Sequence, residues 1–86
     1  MVSRRMLLDH LKLARRHVAE GTRRVTWQRE LVAGLARDGH DTEESKELLA
    51  QFEELLAMHV QDCNRLEQEL ATQSSTSLEK EPTRRF

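Results

Sequence analysis

Four histidines and one cysteine are the residues of this chain with the chemistry for a metal site or a nucleophile. His10 and His17 lie seven apart and share a helix face, and His17 with Glu20 has a three-residue spacing. Zinc wants three or four ligands converging tetrahedrally, and the di-iron sites of helix bundles want several inward carboxylates with Glu-x-x-His pairs. Neither constellation is present, so no metal and no cofactor is expected. Cys63 has no base and orienting partner in view, and it reads as a small buried hydrophobe. No glycine-rich phosphate loop, no Ser/His/Asp set and no carboxylate pair in an apolar stretch appears. The expectation is a chain without catalytic residues.

The arginines make a second candidate chemistry. Arg15-Arg16 and Arg23-Arg24 recur along one segment, with Arg4-Arg5 before them and Lys12 and Arg29 nearby. A phosphate backbone can lie along such a stripe, so RNA or DNA binding through Arg15, Arg16, Arg23 and Arg24 is the alternative reading. Residues 1–37 hold nine Lys/Arg against three Asp/Glu, a net +6, and residues 38–86 hold five against twelve, a net −7. The acids Glu47, Glu53, Glu54, Asp62, Glu67 and Glu69 would neutralise much of the basic field if the halves lie side by side. Base stacking has little to work with, since Trp27 is the one tryptophan and tyrosine is absent. The favoured meaning of the charge is therefore selection of antiparallel pairing rather than nucleic-acid contact.

Both readings require helices, and the apolar spacing supplies them. Leu7, Leu11, Ala14, Val18, Gly21, Val25, Gln28, Val32 and Leu35 step alternately by four and three. With Leu11 at heptad position a, Val18, Val25 and Val32 are also a, and Leu7, Ala14, Gly21, Gln28 and Leu35 are d. Ser45, Leu49, Phe52, Leu56, His59, Cys63, Leu66 and Leu70 keep the same alternation, which is a coiled-coil signal in both segments. His59 at d reads as a hydrogen-bonded or pH-sensitive core residue.

Between the segments, Gly39 suits the left-handed position that closes a helix, and Arg37 places positive charge at the end of its dipole. Asp41 or Thr42 can cap the next helix, where Glu43 and Glu44 also favour an N-terminus. So short a link makes the helices antiparallel. The organisation predicted is helix 3–37, turn 38–42 and helix 43–71, followed by a flexible polar tail over 72–86 that begins in a Ser/Thr-rich run and contains Pro82. Pairing Leu7 with Leu70 and pairing Leu35 with Leu49 imply registers about a heptad apart, and the pattern permits both.

A single stripe on each of two helices makes a small core, and a chain of 86 residues with 37% hydrophobic content gains from a twin. Leu31 in the first segment and Leu48 and Leu55 in the second fall at g and widen the seam to the three-of-seven face of a bundle. The expected assembly is all-α: an antiparallel two-helix coiled-coil hairpin that pairs as a homodimer into a four-helix bundle. Leu13 and Trp27 fall at c, off the seam, and form the candidate surface for a protein partner, with packing of Trp27 across the dimer as the favoured alternative for that residue. Gly21 in mid-helix points to close helix approach or to a kink.

The stretches His17-Val18-Ala19-Glu20-Gly21, Gln28-Arg29-Glu30-Leu31-Val32-Ala33, Arg37-Asp38-Gly39-His40-Asp41-Thr42, Leu48-Leu49 and Phe52-Glu53 resemble a group of small bacterial helical-hairpin proteins. The resemblance covers roughly residues 10–70, and its most specific part is the Arg-Asp-Gly-His-Asp-Thr turn. It implies a bacterial, cytoplasmic hairpin and no established activity. The residues themselves also fit a reducing cytoplasm: there is one cysteine, and the apolar residues after Arg4-Arg5 are broken by Asp9, His10 and Lys12, unlike a signal peptide.

Overall fold

The computed structural model describes the backbone of residues 3–84 and the side chains of residues 3–73. Two helices, α1 (Arg4–Arg37) and α2 (Glu43–Arg84), lie antiparallel as a hairpin with extents of 74 × 19 × 15 Å. α1 starts at Ser3, whose hydroxyl accepts from the Met6 amide at 3.1 Å and so satisfies one of the free N–H groups of the first turn.

The turn is built as the spacing of Gly39 and its neighbours predicts. Gly39 adopts φ +77°, its amide donates to Ala36 O at 3.1 Å, and the His40 amide donates to Leu35 O at 2.9 Å. This is the paired-bond helix ending that requires a left-handed residue, which glycine takes without a Cβ penalty. Asp41 then accepts from the Glu43 amide at 3.0 Å, and Thr42 O receives the first bond of α2, from the Lys46 amide at 2.9 Å.

Beyond the seam the helix does not stop. A polar tail was expected from residue 72, whereas α2 continues to Arg84, and residues 85–86 lie outside the described part. Polarity ends the packing pattern, but backbone hydrogen bonding does not depend on it; residues 72–84 hold no glycine, and Pro82, which lacks the N–H for a helical bond, comes only two residues before the last described helical residue. Leu70 packs with Leu7, and α1 begins only three residues before Leu7, at Arg4, so the stretch of α2 beyond residue 73 runs past the start of α1.

The seam takes the Leu7–Leu70 register. Leu7, Leu11 and Ala14 form one buried cluster with Cys63, Leu66 and Leu70, against which Val18 packs. One heptad further along, Gly21 meets Leu56: a Cβ built on Gly21 would lie 3.2 Å from Leu56 Cδ1 and 3.8 Å from its Cα. The glycine therefore serves close approach. In the same turn Thr22 Oγ1 donates back to Val18 O at 2.7 Å, a bond that tends to bend a helix. Nearer the turn, Val25 and Gln28 are buried. Gln28 is only 1% exposed, and its Nε2 donates to Ser45 O at 3.0 Å, which ties that end of α1 to the first turn of α2.

Candidate interaction surface

Every expected seam position is at least half-buried, but the core is uneven. Leu11, Val25, Cys63, Leu66 and Leu70 are buried, whereas Val18, Val32, Leu35, Leu49, Phe52, Leu56 and His59 are only half-buried. Two helices cannot enclose a residue on all sides, and toward the middle of the hairpin the seam stands open along one flank.

The two flanks of that seam differ in chemistry. On the e side, Arg15 Nη2 meets Glu67 Oε2 at 3.0 Å and Arg29 Nη2 meets Glu53 Oε2 at 2.9 Å. These pairs sit two heptads apart on both helices, as antiparallel e–e contacts do. Both are well exposed, so each contributes at most about 1 kcal/mol, and they define orientation more than they stabilise. Leu8 and Val60 are the exposed apolar residues of this side.

The g side carries the open groove. One stretch of about 280 Å³ runs between His17, Gly21 and Arg24 of α1 and Phe52, Leu55 and His59 of α2. The next stretch shares His17 and is bounded by His10, Leu13, Asp62 and Arg65. Around this groove stand the large exposed apolar side chains Leu13, Trp27 and Leu31 of α1 and Leu48, Leu55 and Met58 of α2. Positions c and g neighbour each other on a helix, so all six share one flank. Trp27 is 64% exposed and Met58 62%. Met58 was not singled out from the sequence, although it lies at c, three residues after Leu55, where the face widened by the g leucines continues. Further along α2 this flank turns polar, with Arg65 bonded to Glu69 at 2.9 Å and close to Asp62 at 3.6 Å.

The His17 and His59 rings lie 4.9 Å apart, tilted by 44°, at the floor of the groove. Among the described residues no group of three or more His, Cys, Asp and Glu side chains is arranged to hold a metal ion. Cys63 is a buried free thiol.

The four arginines of the nucleic-acid reading do not share a surface. Arg15 lies at e and is tied to Glu67, Arg16 and Arg23 lie at f on the outer face, and Arg24 lies at g beside the groove. Arg15 and Arg24, nine residues apart, stand on opposite sides of α1, so the four are spread around half its circumference rather than along one stripe. No described helix is long and apolar enough to cross a membrane. Comparison with protein-family models, with curated proteins and with solved structures returned no match.

Proposed function

We propose that this chain is a non-enzymatic interaction module of the cytoplasm, in which two hairpins cover each other's c/g flank to form a four-helix bundle. The carrying observation is the one-sided cluster of Leu13, Trp27, Leu31, Leu48, Leu55 and Met58, all exposed beside a seam whose middle is only half-buried. An apolar patch of this kind, rimmed by charge, is what association surfaces present. A second hairpin supplies the missing half of the core and brings the chain to the size at which bundles become stable.

Sedimentation equilibrium across a concentration series tests this, with Trp27 fluorescence as the local probe. The expected result is a mass of two chains and an emission maximum that moves to shorter wavelength as the chains associate. A folded single chain at all concentrations, with unshifted emission, overturns the reading.

One observation favours a second reading: among the described residues Arg16, Arg23 and Arg24 form no ion pair. RNA or DNA binding through them would show as a gel shift that weakens steeply between low and moderate salt. Their separation around α1 is why it stands second.

A further inference from the structure

The central part of the c/g stripe of α1, from Leu13 to Leu31, reads the same way from both ends. Leu13, His17, Glu20, Arg24, Trp27 and Leu31 follow one another by four, three, four, three and four. That is the alternation of the a/d seam repeated on a second side of the helix; α2 reaches it at His17, whose ring lies 4.9 Å from that of His59, and leaves the other five members exposed. About a centre between Glu20 and Arg24, the members match in pairs. Leucine stands at each outer end, then a ring on each side (His17 and Trp27), then opposite charges. All but the half-buried His17 are exposed.

An isologous two-fold contact brings each residue of a surface to its mirror position on the partner. We infer that the occupant of this stripe is α1 of a second copy, running antiparallel, with Glu20 of each chain paired to Arg24 of the other. Leu13 then meets Leu31 of the other copy and His17 meets its Trp27. This rests on the self-association reading above and adds which helices meet and in what register.

Charge supports the pairing. α1 is strongly basic, and two such helices side by side would repel. Of the nine basic residues in positions 1–37, however, only Arg24 is on this stripe, and Glu20 is its only acid. The others fall at a, b, e and f, away from the contact. Among the described residues neither Glu20 nor Arg24 has a hydrogen bond or ion pair, which leaves both available to a partner. The same two-fold suits α2. Leu55 lines the groove at the level of Gly21, beside the centre of the stripe, and so comes close to Leu55 of the second copy.

The test is a charge-reversal cycle on the full chain, measured by sedimentation equilibrium with helicity checked by circular dichroism. Glu20→Arg and Arg24→Glu each place two like-charge contacts in the dimer. Each is expected to raise its Kd about tenfold while leaving the hairpin folded, since both sites are exposed. The double variant E20R/R24E restores opposite charges across the two-fold and should recover most of the lost affinity. A wild-type dimer whose affinity the single reversals leave unchanged, or which the double reversal fails to rescue, overturns this arrangement while leaving self-association standing. A wild-type chain that is monomeric throughout overturns both.

Discussion

Replacing Gly21 by alanine sets two opposed effects against each other at known distances. Alanine in mid-helix is favoured over glycine by about 1 kcal/mol, because glycine loses more backbone freedom on folding. Against this, the new methyl would sit 3.2 Å from Leu56 Cδ1, a few tenths of an ångström too close, while Leu56 Cβ at 3.7 Å and Cα at 3.8 Å are at ordinary contact. Only the tip of the leucine must move. It borders the open groove, so the displacement is one small χ adjustment, at a cost near the lower end of the 0.5–1.5 kcal/mol that about 30° off a rotamer requires. The expected net is a gain of about 0.5 kcal/mol, or roughly 2–4 °C in Tm for a chain of this size. Gly34→Ala is the control: its methyl would meet only Arg37 Nη2, at 3.7 Å, so it reports helix preference without crowding. The assay is thermal unfolding by circular dichroism at one fixed concentration, because association shifts an apparent Tm. A fall of several degrees for Gly21→Ala beside a rise for Gly34→Ala would refute the reasoning. It would mean that Leu56 is held too firmly to yield.

Two further outcomes are expected. Gln28→Leu should raise Tm by a few degrees, because it removes a buried polar side chain while the Ser45 carbonyl stays within the α2 ladder. Doubled amide signals around the turn in an NMR spectrum would report the loss of register that the glutamine enforces, and a fall in Tm would contradict this account. Gly39→Ala should cost about 1–2 kcal/mol by urea unfolding with an unchanged slope, since φ +77° is strained for alanine although nothing lies within 4 Å of the added methyl.

The hairpin was legible in the sequence because its two determinants are local. The four-three alternation states which face of each helix is apolar, and Gly39 with Asp41 states where the chain reverses. The register was not legible from the apolar pattern, since leucine faces leucine acceptably in either pairing. Features that a count of hydrophobic residues treats as defects, a glycine against Leu56 and a glutamine against Ser45, go with the pairing adopted. The c and g residues were visible singly: Leu13 and Trp27 as a partner surface, Leu31, Leu48 and Leu55 as a wider seam. That they form one flank, with Met58 among them, needed the relative rotation of the two helices, which the e–e ion pairs reveal. The boundary expected at residue 71 marks the end of packing and not of the helix.

The unlike flanks also set a limit on growth. A rod with adhesive strips on both sides has no reason to stop at two, and its assemblies extend into sheets or fibres. Here one strip is apolar and the other is occupied by Arg15–Glu67 and Arg29–Glu53, with Leu8 and Val60 isolated beside them. Once the apolar strip meets its like, the surface left to solvent is hydrated and mixed in charge. In the proposed dimer the surface ion pairs, worth little as glue, would act as a stop that keeps association finite and the assembled species discrete.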